Sequence, residues 1–147
     1  RLNLDYMICA NICVPMEAKL TLKLGESDPA GVTASLVQRY LELVPKGTGF
    51  SVMEIISATV SGEAGLQNLH VHGRATHPFR APDLMVEGPK SFAFGRPKIT
   101  LNNKGHEVVM ELPVYAATGK FKLTDQALTL TMVDGKRALQ QRLILGR

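Results

Sequence analysis

The sequence predicts a mainly β protein: an antiparallel β-sandwich of about 100 residues, preceded by a β-hairpin and one α-helix. Three observations carry this. From residue 50 onward, runs of alternating or β-branched residues recur with turn residues between them. Asp134-Gly135 lies between two such runs, the strongest short-range hairpin signal in the chain. Only one stretch, residues 28–47, carries helical rather than strand periodicity.

Taken in order, residues 2–24 read as a strand, a tight connection and a return strand. On the return, Ala18, Leu20, Leu22 and Leu24 alternate with Lys19, Thr21 and Lys23. Pro15 lacks an N–H, so it requires a strand start or a sheet edge. Gly25 and Ser27-Asp28-Pro29 break the strand. Asp28 then supplies an N-cap and Pro29 the first helical residue. Val32, Leu36, Val37, Tyr40, Leu41 and Val44 form one apolar stripe, expected to pack between or against two domains. Pro45 and Gly47 end the helix. Candidate strands follow at 51–60, 68–76, 83–87, 98–101, 107–115, 127–133 and 137–145. Asp134-Gly135 calls for positive φ at both turn positions, and Asn102-Asn103-Lys104-Gly105 marks a second turn. The chain therefore divides at 45–49. Residues 1–46 hold a hairpin and helix that cannot form a core alone, and residues 47–147 hold a complete sandwich.

Composition narrows the function classes. With 45% hydrophobic and 20% charged residues, collagen-like, disordered and coiled-coil readings fall away. No apolar run approaches the roughly 20 residues of a membrane-spanning helix. The net charge of +4 is mild, basic residues are scattered and aromatics are 5%, so no stacking platform for nucleic acid exists. Two cysteines are too few for a disulfide-framed mini-protein, which points Cys9 and Cys13 toward chemistry rather than architecture. The chain opens on Arg1 without a charged-then-apolar leader pattern, and reads as a piece of a longer, processed polypeptide.

Three residues separate Cys9 from Cys13, between a strand and its return. Across a tight hairpin their α-carbons can come within the ~4.4–6.8 Å a disulfide requires. So small a ring removes little chain entropy, well under the ~3 kcal/mol of a 15-residue loop. A weakly stabilising bond at a loop tip suits a pair that opens and closes by thiolate attack. A static hairpin disulfide and two reduced thiols remain alternatives, because the C-x₃-C spacing is of low specificity.

The flanks add a resemblance. Tyr6-Met7-Ile8-Cys9-Ala10-Asn11-Ile12-Cys13-Val14-Pro15 and the alternating strand after it resemble the cysteine segment of the DsbD/ScsB (suppressor of copper sensitivity protein B) family of transmembrane thiol–disulfide reductases. Asp83-Leu84-Met85-Val86-Glu87-Gly88-Pro89, Phe94-Gly95-Arg96-Pro97 and the run from Leu128 to Ala138 resemble the second, immunoglobulin-like domain of the same proteins. The resemblance implies a periplasmic region of a membrane-anchored electron conductor that needs no cofactor. A thioredoxin-like domain of the parent protein would be the electron donor. A periplasmic thioredoxin-fold disulfide isomerase or peroxide-handling protein would be the acceptor. It also implies that Cys13 forms the mixed disulfides and Cys9 resolves them. One departure stands out: the family's first domain runs for many residues before its cysteines, with a cap loop and acidic groups near the thiols. Here eight residues precede Cys9. Leu20, Leu22 and Leu24 are expected to face a core that is absent or supplied by another chain.

Other candidate chemistry is weaker. Met7, Cys9, Cys13 and Met16 form a set of soft sulfur donors of the type that selects Cu(I), although methionines more often serve as hydrophobic flanks. His70 and His72 share one face of a predicted strand and, with His77 or His106, could ligate copper or zinc. A solvated sheet face explains them more simply. Asp83, Glu87 and Glu111 are dispersed and read as charged faces. Gly95-Arg96-Pro97 and residues 62–65 lack the strand–turn–helix setting of a phosphate loop. The helix's polar face offers only Arg39 and Lys46 as cations, which argues against membrane-surface binding.

Overall fold

The computed structural model describes residues 1–9, 12–21, 23, 31–45, 47, 52–119 and 121–146. The expectations for Leu22, Leu24, Gly25, Ser27, Asp28 and Pro29 fall outside the described residues, as do those for Ser51 and for Lys46, Thr48 and Gly49 at the predicted division. Two compact units emerge, Arg1–Arg39 and Tyr40–Arg147.

The first unit contains an antiparallel hairpin of β1 (Leu2–Cys9) and β2 (Cys13–Leu20). Helix α1 (Val32–Leu41) spans the boundary between the units. It closes in tightened turns, with Leu43 N–H donating to Tyr40 O (3.0 Å) and Val44 N–H to Leu41 O (3.3 Å), four residues short of Pro45. Of its stripe, Leu36, Val37, Tyr40 and Leu41 are each 49–63% exposed.

The second unit is the sandwich. Its strands are β3 (Met53–Glu63), β4 (Leu66–Ala75), β5 (Pro82–Glu87), β6 (Phe92–Phe94), β7 (Lys98–Asn102), β8 (Glu107–Ala116), β9 (Ala127–Asp134) and β10 (Arg137–Ile144). One sheet runs β3-β4-β8, with β6 and β7 both pairing the far edge of β8, and the other runs β10-β9-β5. Lettered A to G along the chain, with β6 and β7 together as D, these are the ABED and CFG sheets of an immunoglobulin-like sandwich. The fold class read from the sequence is the one observed. Strand β6 was not expected, because three residues are too few to show a period.

Alternation builds the core. On β8, Val108, Met110, Leu112 and Val114 are buried while their neighbours are not, and on β4 Leu69, Val71 and Ala75 do the same. Leu128, Leu130 and Met132 of β9 face them from the other sheet. Gly73 completes the β4 row. A Cβ there would lie 3.0 Å from Met132 Sδ and 3.1 Å from Val108 Cγ1, so the two sheets meet where β4 has no side chain. The B–F contact between the sheets is thus a methionine on a glycine.

Pro113 stands within a strand paired on both sides, which a missing N–H normally forbids. Its carbonyl accepts from Gly95 N–H (2.8 Å), and in an antiparallel strand a residue's N–H and C=O point to the same side. The absent donor therefore faces the gap between β6 and β7 at Gly95-Arg96-Pro97, where no ladder bond is lost. Gly95 itself packs so closely that an added Cβ would lie 2.6 Å from Pro113 Cγ.

The β9–β10 turn carries a correction. Asp134 is the last residue of β9 and pairs with Arg137, so the two turn residues are Gly135 and Lys136, and of Asp134, Gly135 and Lys136 only Gly135 has a positive φ (+63). Asp134, 5% exposed, anchors it. Its Oδ1 accepts from Ala81 N–H (2.7 Å) and Arg80 N–H (3.1 Å), and its Oδ2 pairs with the Arg137 guanidinium. Arg137 also donates to His77 O (2.9 Å) and Pro78 O (3.0 Å) and lies over the Phe79 ring. This cluster ties the segment entering β5 to the β9–β10 turn. Burial by itself raises the Asp134 pKa, but the hydrogen bonds from Ala81, Arg137 and Arg80 and the Arg137 charge together hold it below its ordinary 3.8. An acid with a depressed folded pKa contributes stability fully above the ordinary pKa and loses it as pH falls through the folded one. Asp134→Ala is expected to cost about 2 kcal/mol at pH 7, since it leaves the Ala81 and Arg80 N–H groups and a half-buried guanidinium without their carboxylate. The gap between wild type and variant, read from urea midpoints, should narrow below about pH 4. An equal gap at pH 7 and pH 3 would contradict the cluster's charged role.

Candidate functional site

The register of the hairpin runs from Leu2↔Leu20 to Cys9↔Cys13, without a shift. Residues directly opposite in an antiparallel pair lie on the same face, and faces alternate along each strand. One face therefore collects Leu2/Leu20, Leu4/Ala18, Tyr6/Met16 and Ile8/Val14, every pair apolar. The other collects Asn3/Lys19, Asp5/Glu17, Met7/Pro15 and Cys9/Cys13. β-branched Ile8 and Val14 flank the cysteines and favour extended backbone at the tip.

Cys9 and Cys13 are disulfide-bonded, with α-carbons 4.0 Å apart. Both residues are exposed. So are Met7 (68%), Ile8 (58%) and Ile12 (75%) around them. The bond joins the last pair of a ladder, at the end of a two-stranded sheet whose strands are both edges. Exposed cysteines of this kind can be met by an attacking thiolate, and the bond joins only the last of eight cross-strand pairs. The apolar face is uncovered among the described residues: Leu2, Leu4, Tyr6, Ile8, Val14, Met16 and Leu20 are 39–58% exposed.

The remaining sequence candidates are distributed differently. Met7 shares the disulfide face, next to Cys9 along the strand, whereas Met16 pairs with Tyr6 on the apolar face. His70 and His72 do share the outward face of β4. His70 Nε2 and Ser61 Oγ share a hydrogen bond (2.7 Å), and His72 Nε2 lies 3.7 Å from Glu107 Oε2. His77 Nδ1 bonds with Thr76 Oγ1 (3.1 Å), and His106 Nδ1 donates to Ala75 O (3.1 Å). The imidazoles thus have separate local partners. Among the described residues no three His, Cys, Asp or Glu side chains are grouped to hold a metal ion. Asp83 Oδ1 accepts from the neighbouring Leu84 N–H (2.8 Å), a local backbone role. Sequence reading did not foresee the wholly apolar hairpin face or the Asp5/Glu17 pair on the disulfide face. Both depend on register, which pairs residues from two strands.

The family model described as "Domain of unknown function (DUF8393)" matches residues 43–147. The chain belongs to this family. Among solved structures, this DUF8393 chain is similar to the N-terminal periplasmic domain of ScsB from Proteus mirabilis, at a TM-score of 0.68 and 19% identity. The alignment covers 99% of this chain and 58% of that one, so the chain spans less than two thirds of its structural neighbour. At this identity the likeness establishes the fold, which is the fold the DsbD/ScsB resemblance implies. No curated protein sequence matches the chain. No helix among the described residues is long and apolar enough to cross a membrane.

Because the disulfide closes a ring of only three intervening residues at one end of the hairpin, its reduction should act locally. By the loop-entropy relation its worth is about 2 kcal/mol. Hydrogen exchange before and after reduction with a dithiol is expected to change within residues 2–20 and to leave protection across β3–β10 unaltered. Loss of sandwich protection on reduction would show the bond to be architectural.

Proposed function

We infer that the chain is a thiol–disulfide exchange module, working through Cys9 and Cys13 in the periplasm as part of a membrane-anchored parent protein. The observation that carries this reading is the disulfide joining the terminal pair of an exposed hairpin, where both sulfurs are open to attack. The ScsB-like fold and the cysteine-flanking resemblance support it. Residues 1–46 would bear the redox pair, and residues 47–147 would serve as scaffold or docking surface.

The cycle needs two exchanges. A donor thiolate, from a thioredoxin-like domain of the parent, attacks Cys13 Sγ. The Cys9–Cys13 bond breaks, and Cys9 leaves as a thiolate with the bonding pair. The donor's second thiol then attacks its own sulfur in the mixed disulfide and releases Cys13. Two electrons and two protons have passed from a dithiol to the pair. The Cys13 thiolate next attacks a disulfide of the acceptor, a periplasmic thioredoxin-fold isomerase or peroxide-handling protein. Cys9 resolves that mixed disulfide, leaving the acceptor reduced and Cys9–Cys13 oxidised.

In the intact parent, Cys13→Ala should abolish transfer, and Cys9→Ala should accumulate a mixed disulfide with the acceptor on non-reducing gels. The pair's reduction potential is expected above about −300 mV, the region of exchangeable bonds. Wild-type turnover by Cys9→Ala would make the two-thiol mechanism wrong, and a potential well below that value would mark the bond as a static staple.

One observation favours a second reading. In the reduced state Met7, Cys9 and Cys13 would present three soft sulfur donors on one face, the donor set that suits Cu(I). Titrating the reduced protein with Cu(I) against a competing chelator is expected to show binding weakened by Met7→Leu and unaffected by Met16→Leu. Binding insensitive to Met7 would remove this reading.

A further inference from the structure

We propose that the free edge of β7 is a self-association surface, on which a second copy of this chain adds its own β7 antiparallel about Thr100. The case begins with the main chain. The carbonyl of Pro113 points toward β6 and β7, so alternation along β8 directs the hydrogen-bonding groups of Glu107, Val109 and Glu111 the same way. Their register partners Asn102, Thr100 and Lys98 are therefore satisfied by β8. The N–H and C=O groups of Ile99 and Leu101 point to the opposite, unpaired side. Ile99 and Leu101 pair in register with core-facing Met110 and Val108, yet they remain 37% and 44% exposed. An edge with free donors and half-covered apolar side chains is a template for another strand.

The neighbouring free edge, β5, is blunted. Pro82 brings no N–H to it, and the Leu84 N–H is taken by the Asp83 carboxylate. On β7 the donorless Pro97 stands just before the strand, while Ile99 and Leu101, the strand residues that face the free edge, both keep their N–H groups.

The occupant follows from complementarity. With a two-fold axis at Thr100, Ile99 of one copy exchanges main-chain bonds with Leu101 of the other, and the four apolar side chains meet on the core side. Thr100 faces Thr100, a favourable cross-strand pair. Lys98 faces the second copy's Asn102, so no like charges are opposed. The outward row across the joined sheet would read Glu111, Lys98, then the second copy's Asn102, Glu107 and Arg74, with charges alternating in sign across the seam. Arg74 already bonds Glu54 (Nε to Oε1, 2.7 Å), which continues the alternation. The contact is isologous and closes at two copies. One short strand pair is a small interface, so the dimer should be weak and concentration-dependent.

The test uses the full chain with Cys9→Ser and Cys13→Ser, so that native thiols cannot shuffle. Thr100→Cys puts two thiols across the axis in a non-hydrogen-bonded pair, about 4.5 Å apart at Cα, within disulfide reach. Lys98→Cys puts them about 13 Å apart along the strand, beyond reach. Under mild oxidation the Thr100 variant should form covalent dimer roughly tenfold faster or more, because proximity replaces chance encounter. Sedimentation of the native chain should show monomer–dimer exchange. Ile99→Pro, which removes a donor serving only the free edge, should weaken the association constant about tenfold or more while the sandwich still melts cooperatively. Equal cross-linking of the two cysteine variants overturns the proposal, even if the native chain dimerises, since that would place the contact elsewhere, such as on the hairpin's apolar face. A native chain that stays monomeric at all concentrations overturns it as well.

Discussion

Strand alternation, with its repeat of two residues, is the constraint on which the other features of this chain depend. In the sandwich it sends Leu69 and Val71, Met110 and Leu112, Leu130 and Met132 to a shared interior. In the hairpin the same period brings Cys9 opposite Cys13 and separates an apolar face from one bearing carboxylates and sulfur. A slip of one residue in either place would exchange the faces. In the hairpin it would also put the two sulfurs on opposite sides, and no bond could form.

The two units use this constraint under different energetic conditions. The sandwich has two sheets to cover one another, and Gly73 under Met132 shows how closely they approach. Its less regular points are compensated locally: Pro113 faces a gap, and Asp134 is buried with its charge matched by Arg137 and two backbone donors. The hairpin has a sorted face and no second layer among the described residues. Its ladder and its single covalent bond hold the register there. That combination places the Cys9–Cys13 disulfide at the exposed end of the hairpin.

Much of the fold was legible along the chain. Most strand positions, the existence of a hairpin turn after Asp134, the turn at Asn103-Lys104 and helix α1 follow from local residue pattern. Departures arose where a non-local contact decides. Strand β6 exists because Phe92, Ala93 and Phe94 find Ala116, Tyr115 and Val114 across β8, and three residues show no period of their own. The helix stripe records what a helix can bury and not which partner lies against it. At the candidate site, the spacing of Cys9 and Cys13 admitted two free thiols or a bond. Their pairing across two strands decided for the bond.

By itself, then, the sequence determined the residue types, their periodicities and the turns: a β-sandwich, a hairpin bearing two cysteines, and flanks like those of DsbD/ScsB proteins. These are local properties, since backbone preference and hydrophobic period act over a few residues. The tertiary structure alone decided which strands are neighbours, which residues stand opposite, and which edges are left unpaired. Those depend on contacts between residues distant in the chain. They account for Met16 facing away from the cysteines while Met7 faces with them, for Asp134 clamping residues more than fifty positions upstream, and for the main-chain groups of Ile99 and Leu101 lying open on β7.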